Sequence, residues 1–232
     1  MKTVISDTKD VLCQAAEHIK RLVAAKPGAV LALSGGRTAE KLYGELARLY
    51  AEGELSLKNV KVFAVTEYEG APEALTCRRT IEEGLIDRTD LREENCVFLN
   101  RERLDIYDNM IEQAGGIDLA VLGIGVNAHI GFNEPATPYL SYTHAQKLTD
   151  ATRRQNAELF GGEDRVPVYG LTMGIKTISE AREVILLALG GEKAEAVHRM
   201  VYGRTDSAVP AAFLQLPQNV EAFLDTEAAG GL

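Results

Sequence analysis

The sequence contains only three cysteines, Cys13, Cys77 and Cys96, which are widely spaced and form no CxxC pair. An odd number of isolated cysteines excludes a disulfide framework and a thiolate metal site, so buried thiols are expected. Basic residues are also in the minority, with 25 Lys and Arg against 34 Asp and Glu and a formal net charge of −9. This balance argues against a nucleic-acid partner, which normally requires a basic face.

Long hydrophobic runs are missing as well. No segment approaches the ~20 apolar residues of a membrane span, and residues 1–10 lack the apolar centre of a signal peptide. We therefore expect a cytoplasmic protein without a membrane partner. The chain also lacks internal repeats, low-complexity blocks and linkers. Its 232 residues are 46% hydrophobic, which suits one well-buried core, so we predict a single domain over residues 1–232.

Short apolar runs alternate with amphipathic stretches along most of the chain. Strands that alternate with helices form a mostly parallel sheet with helices on both faces, so the predicted fold class is α/β. The predicted strands are 29–33, 60–65, 96–99, 117–122, 183–189 and 219–224. The predicted helices are 6–25, 39–46, 73–86, 102–114, 150–160 and 171–179, with one more after Lys193 and a frayed tail over 227–232.

One stretch, GIGVNAHIGFNEP over residues 123–135, stands out because it directly follows the buried-strand pattern of 117–122. Ligands of open α/β sheets bind at the carboxyl ends of the strands, so a histidine and a carboxylate here point to an active site. Taken singly, Gly123 and Gly125 could be simple turn residues and His129 an ordinary loop histidine. Their density in one loop favours the site.

A second glycine-containing loop, Ser34-Gly35-Gly36-Arg37-Thr38, lies between the strand at 29–33 and a helical pattern. Such glycines let the backbone approach an anion closely, and a helix N-terminus supplies free N–H donors and a favourable dipole. The loop is therefore a candidate phosphate cradle. It matches neither a Walker loop nor a full GxGxxG motif, so a purely structural turn is an equal alternative.

Together these residues resemble one known family. GIGVNAHIGFNEP is similar to the signature of the glucosamine-6-phosphate deaminases and galactosamine-6-phosphate isomerases, which share a Rossmann-like three-layer fold with the 6-phosphogluconolactonases. Further similar stretches follow in the family's order along nearly the whole chain: SGGRTAEKLY (34–43), VFAVTEYEG (62–70), LTDATRRQNAELF (148–160), VPVYGLTMGIKTI (166–178) and ALGGEKAEAV (188–197).

The resemblance implies conversion of an amino-sugar 6-phosphate to a ketohexose 6-phosphate and ammonia, with no redox cofactor and no metal. His129 would be the acid–base group that opens the sugar ring, and Glu134 would hold and charge-tune its imidazole. Asn127, at a position that is Asp or Asn in the family, would orient the ring. The partner would be a small-molecule sugar phosphate, and a homo-oligomer is left open.

The same resemblance places the phosphate on the backbone of Gly35, Gly36, Arg37 and Thr38. Phosphate ligands of the family are also matched by two cationic side chains, those of Arg153 and Lys193. Arg37 departs from the small residue usual at its position, and as a bidentate donor it could clasp the phosphate or narrow the pocket.

The main departure from the family is Thr66. The family's deaminases have an Asp-Glu pair at the end of this strand, where the Asp removes the C2 proton, whereas this chain has Thr66-Glu67. A threonine hydroxyl cannot serve as that base at neutral pH. Alternation along a strand predicts that Glu67 faces away if Thr66 faces the substrate.

Three hypotheses follow. The first is an amino-sugar-phosphate isomerase and deaminase with altered chemistry, with a slight preference for the galactosamine type from residues 116–125 and 209–214. The second is a lactone hydrolase of the 6-phosphogluconolactonase type, in which His129 would activate water and no C2 base is needed. The third is a non-catalytic sugar-phosphate binder.

Overall fold

A computed structural model describes all residues, 1–232, and its centre is a seven-stranded parallel sheet. The ten strands of the protein are β1 Lys2–Ser6, β2 Val30–Leu33, β3 Lys61–Ala64, β4 Thr66–Tyr68, β5 Cys96–Val97, β6 Leu119–Gly123, β7 His144–Lys147, β8 Tyr169–Thr172, β9 Glu183–Ala188 and β10 Val220–Asp225. Seven of them form the large sheet, in the order β1-β10-β9-β6-β2-β3-β5. The remaining three form a small antiparallel sheet in the order β4-β8-β7.

Helices cover both faces of the large sheet. They are α1 Thr8–Ala25, α2 Arg37–Ala51, α3 Cys77–Gly84, α4 Tyr107–Gln113, α5 Asp150–Phe160, α6 Ile175–Ser179 and α7 Ala194–Tyr202. Apolar side chains of α1, α2 and α3 pack on one face of the sheet and those of α4, α6 and α7 on the other. This confirms the predicted α/β three-layer fold. No helix combines the length and apolar character needed to cross a membrane.

The central strands carry apolar side chains on both faces because both are covered. In the parallel register, Leu31 pairs with Leu119 and Ala32 with Ala120. Leu31 and Leu119 face the core beneath α1 and α2, whereas Ala32 and Ala120 face the opposite core. Fully burying one leucine stabilises the fold by about 1.5–3 kcal/mol, so these strands are fixed in place by burial on both sides.

The predicted boundaries fail where a segment depends on distant partners. Residues 2–6 form the edge strand β1, paired with β10, which the prediction missed although Thr3, Val4 and Ile5 are β-branched. The first helix begins at Thr8 rather than at residue 6. Asp7 is its N-cap residue, and the Asp7 side chain accepts a hydrogen bond from the Asp10 N–H at 2.9 Å. Both helices predicted over 73–86 and 102–114 start with 3₁₀ turns.

Two further predictions are wrong. The helix predicted over 171–179 is instead β8 followed, after Gly174, by the short α6, because β8 is held between β4 and β7. The tail predicted to fray is folded back on the protein. Ala228 is fully buried, its N–H donates to Oδ1 of Asp225 at 2.8 Å, and the carbonyl of Gly231 lies 2.7 Å from Nδ1 of His198.

Candidate active site

A cavity of about 570 Å³ opens where β2 and β6 end. Residues from both predicted loops line it together with parts of α3, α5 and the turn after β9. The predicted site residues on its wall are Gly35, Gly36, Arg37, Thr38, Thr66, His129 and Lys193. Asn127, Glu134, Glu67 and Arg153 are not on this wall. The carboxyl ends of parallel strands therefore bring the two glycine loops to one place, as the sequence predicts.

The loop after β6 is shaped to hold His129. A Cβ atom on Gly125 would lie 2.1 Å from Cε1 of His129, so only glycine leaves room for the imidazole. Ala128 has φ of +64°, a left-handed conformation that is rare for a residue with a side chain. The Gly125 N–H donates to the His129 carbonyl at 3.0 Å and closes the turn. Strained backbone of this kind persists where surrounding contacts enforce it, often at functional sites.

Asn127 lies between His129 and the buried carboxylate of Glu134. Its Nδ2 donates to Oε2 of Glu134 at 2.7 Å, so its Oδ1 must face Nδ1 of His129, at 2.8 Å. Because Oδ1 can only accept, Nδ1 of His129 carries the proton in the neutral ring. Nε2 is then the unprotonated nitrogen that remains for the cavity. Oε2 of Glu134 itself lies farther from Nδ1 of His129, at 3.7 Å.

The environment keeps the imidazole neutral. Burial lowers the pKa of His129 below its ordinary value, the charge of Glu134 opposes this, and Lys193 lowers it further. Burial dominates because His129 is only 8% exposed and the Glu134 carboxylate is shared with other donors. The increase in the pKa of His129 expected from Glu134 is therefore smaller than the decrease caused by burial. His129 is suited to accept a proton at neutral pH.

The loop after β2 has the features of an anion cradle. Gly36, at φ of +97°, is the N-cap residue of α2 and has no side chain to satisfy the N–H groups of the first turn. A Cβ on Gly35 would lie 2.7 Å from Cβ of Cys77, so this loop packs closely on α3. The first turn of α2 thus presents free backbone donors and a positive dipole to the cavity.

Lys193 supplies a cation beside the cradle. Its side chain is buried, at 7% exposure, and its ammonium has no hydrogen-bond partner in the protein. Burial lowers the pKa of Lys193, the charge of Glu192 opposes this, and the charge of Arg37 lowers it further. Because no protein group forms a hydrogen bond with this ammonium and the residue lies on the cavity wall, it is available to an anionic ligand there.

The two arginines predicted as phosphate ligands lie differently. The Arg37 guanidinium stands on the cavity rim, largely exposed, with Nη1 3.7 Å from Oε2 of Glu158 on α5. Arg153 does not reach the cavity. Its Nη2 instead donates to the carbonyl of Glu163 at 2.8 Å, because the turn that follows α5 brings this carbonyl next to the guanidinium.

Thr66 and Glu67 have separate surroundings, as alternation along β4 predicts. Thr66 lines the cavity, and its hydroxyl donates to Sγ of Cys77 at 3.4 Å. The Glu67 carboxylate accepts from the backbone N–H groups of Tyr68, Cys77 and Arg78 at 2.8–2.9 Å. It therefore caps the start of α3. Burial raises the pKa of Glu67 despite these bonds.

Several residues on or behind the cavity wall had no sequence prediction. Thr149 is the N-cap of α5 and donates to Glu134, whereas Thr152 lies 3.1 Å from Nδ1 of His129. A threonine before a helical pattern is a recognisable cap signal, so Thr149 could have been found. Nothing local marks Thr152. The protein contains no grouping of three or more His, Cys, Asp or Glu residues able to hold a metal ion.

Comparison with known proteins agrees with this geometry. Residues 6–223 match the family model described as glucosamine-6-phosphate isomerases/6-phosphogluconolactonase. A glucosamine-6-phosphate deaminase from Colwellia psychrerythraea is 39% identical over 242 residues, which cover 100% of this chain and 90% of the relative. One from Clostridium botulinum (strain Eklund 17B) is 35% identical over 238 residues, covering 99% of this chain and 96% of the relative.

Solved structures extend the comparison. A monomeric glucosamine-6-phosphate deaminase superposes with a TM-score of 0.96 at 33% identity, covering 100% of both chains. The 6-phosphogluconolactonase of Trypanosoma brucei superposes at 0.75 with 19% identity, covering 100% of this chain and 98% of that one, and shares the fold alone. The chain belongs to the glucosamine-6-phosphate isomerase/6-phosphogluconolactonase family.

Proposed function

We propose that this protein binds a hexosamine 6-phosphate, opens its pyranose ring at His129 and releases ammonia as an isomerase and deaminase with a slow C2 step. The observation that carries the proposal is the placement of His129 on the cavity wall with Nδ1 2.8 Å from Oδ1 of Asn127, which leaves Nε2 for the cavity. Deaminases at 35–39% identity over essentially the whole chain support the substrate class.

The phosphate is held at the start of α2. Backbone N–H groups of the first turn, around Arg37 and Thr38, donate to phosphate oxygens, and the ammonium of Lys193 supplies the positive charge. Arg37, at the rim, exchanges Glu158 for the phosphate as the ligand enters. No metal or redox cofactor has a role in this scheme.

Ring opening needs one proton carrier. Nε2 of His129 accepts the proton of the anomeric hydroxyl, the C1–O5 bond breaks as the C1 carbonyl forms, and Nε2 returns the proton to O5. The transient imidazolium donates from Nδ1 to Asn127, whose amide transmits the charge of Glu134. The lowered pKa of His129 makes the return of the proton favourable.

The next step, removal of the C2 proton, lacks an evident base. Thr66 stands on the wall where the resemblance places the base, but a threonine hydroxyl does not accept a proton at neutral pH. Cys77 beside it is no substitute, because burial and the charge of Glu67 raise the pKa of its thiol. A missing general base slows such a step by roughly 10²- to 10⁴-fold.

The test is ammonia release by the purified protein from glucosamine 6-phosphate and from galactosamine 6-phosphate, with His129→Gln as the control. We expect slow release that His129→Gln abolishes. The two substrates also decide between the galactosamine type, slightly preferred from the sequence, and the glucosamine type named by the relatives. Binding of either ligand without any release would overturn the enzyme proposal and leave a sugar-phosphate binder.

A second candidate is hydrolysis of a 6-phosphogluconolactone. It is favoured by one observation, that Thr66, which cannot act as a base, lines the cavity. Lactone hydrolysis needs no C2 base, since Nε2 of His129 would activate water directly. The assay is acid release from the lactone, followed against its spontaneous hydrolysis. Faster turnover of the lactone than of both hexosamine phosphates would replace the first proposal with this one.

A further inference from the structure

Two hydroxyls behind the cavity connect the same residues that Asn127 connects. Oγ1 of Thr152 lies 3.1 Å from Nδ1 of His129, and Oγ1 of Thr149 lies 3.3 Å from that of Thr152. The Thr149 hydroxyl in turn donates to Oε2 of Glu134 at 3.2 Å. A hydroxyl route therefore runs from the imidazole to the carboxylate beside the amide of Asn127, and the two are joined because Nδ2 of Asn127 also donates to Oγ1 of Thr149 at 3.2 Å.

The proton directions follow from the ends of this route. A carboxylate only accepts, and it is a stronger acceptor than a hydroxyl, so the single Thr149 proton points to Glu134. With that proton directed to Glu134, the Thr152 hydroxyl has Oγ1 of Thr149 as its acceptor at 3.3 Å, an oxygen that also accepts from the Thr152 N–H at 3.3 Å. Nδ1 of His129 already carries a proton, so Oγ1 of Thr152 accepts from it as a second acceptor beside Oδ1 of Asn127.

Water has little access to Thr152 and Glu134 on this route, although Thr149 between them is partly exposed. Thr152 is fully buried and Glu134 is 1% exposed. The Thr149 N–H also donates to Oε1 of Glu134 at 3.0 Å, which fixes the carboxylate against the start of α5. A buried acceptor is effective here because few alternative partners compete for the Nδ1 proton.

We propose that Thr152 is a positioning residue which, supported by Thr149 and Glu134, holds the Nδ1–H form of His129 together with Asn127. The Nδ1 proton of His129 then has two acceptors, Oδ1 of Asn127 and Oγ1 of Thr152, so that loss of either one leaves Nε2 free to accept a proton. Loss of both removes the two acceptors within hydrogen-bond distance of the Nδ1 proton, since Oε2 of Glu134 lies at 3.7 Å, and favours the Nε2–H form, which cannot act as the base. The kinetic consequence rests on the proposed function, whereas the protonation of the ring does not.

A double-mutant cycle tests this with Asn127→Ala, Thr152→Val and the double variant of the full chain. The first measurement is the form of the His129 ring, read from its ¹⁵N shifts at neutral pH without ligand. We expect Nδ1–H in the wild type and in each single variant, and a shift to Nε2–H in the double variant. An unchanged ring form in the double variant would overturn the proposal.

The second measurement is kcat for ammonia release. Each single variant should lose about 10-fold, the effect of one hydrogen bond, and the double variant more than the product of both losses. Thr152→Ser, which keeps the hydroxyl, should restore the wild-type rate. Losses that merely multiply, or no rescue by serine, would show that Thr152 only packs.

Thr177→Val is the matched control, because Thr177 is also buried and its hydroxyl donates to a carboxylate, that of Asp108, outside the cavity. It should change neither the ring form nor kcat, and an equal effect on the ring form would overturn the proposal. If the protein releases no ammonia at all, the proposed function fails, yet the ¹⁵N measurement still decides the role of Thr152.

Discussion

The carboxylate of Glu67 accepts a hydrogen bond from the backbone N–H of Cys77 at 2.9 Å, which commits the acidic residue after Thr66 to the start of α3. Glu67→Gln should therefore destabilise the fold, because an amide has one acceptor oxygen for backbone donors that now share two. We expect a loss of about 1–3 kcal/mol in the free energy of unfolding, measured by urea denaturation. Unchanged stability would contradict the capping role.

Thr66→Asp should increase ammonia release by roughly 10²- to 10⁴-fold, because it places a base on the cavity wall where the C2 proton leaves. The matched control is Thr66→Asn, which has nearly the shape of Asp but cannot accept the proton. Both variants are assayed with glucosamine and galactosamine 6-phosphates. An equal rate in the two variants would mean that Thr66 does not stand beside C2.

Lys193→Met should weaken binding of a hexosamine 6-phosphate about 10- to 100-fold, the value of a charge-assisted hydrogen bond. Its stability should not fall, since a buried ammonium without a protein partner is replaced by an apolar side chain. Lys41→Met is the control, because Lys41 lies on the same wall but is exposed. Calorimetric titration gives both affinities, and equal losses would argue against a specific role for Lys193.

Gly125→Ala should displace the imidazole, because the new Cβ would lie 2.1 Å from Cε1 of His129. We expect loss of at least about 10²-fold in kcat, the lower end of the contribution of an acid–base group. Gly44→Ala, in the middle of α2 with open space around it, should retain activity and gain about 0.5–1 kcal/mol in stability. An active Gly125→Ala variant would show that the ring tolerates movement.

Stability should depend on pH through His129. Its pKa is lowered in the folded state, so below the ordinary histidine value of ~6.5 the unfolded chain binds the proton first and the folded state is disfavoured. Stability is therefore lost as the pH falls below 6.5, by up to about 1.4 kcal/mol per pH unit from this group. Urea denaturation at several pH values should give a smaller loss in His129→Gln. Equal slopes would contradict a buried neutral imidazole.

The sequence was sufficient for six of the seven strands of the large sheet and for the edge at which the two glycine loops meet. Apolar runs such as 117–122 are local signals of buried strands, and the loops that follow them at 34–38 and 123–135 meet at one edge because all the strands are parallel. The opposite directions of Thr66 and Glu67 also followed from alternation along a strand. These features depend on neighbours in sequence, which is why they could be predicted.

Tertiary structure decided everything that depends on distant partners. The small sheet of β4, β7 and β8 exists only because three distant segments pair, and Arg153 turned out to contact Glu163 rather than the cavity. The neutral state of His129 results from burial that no single segment encodes. The sequence thus determined that a histidine stands at a strand tip, and packing determined which nitrogen carries its proton, because the partners of that ring come from two separate elements of the fold.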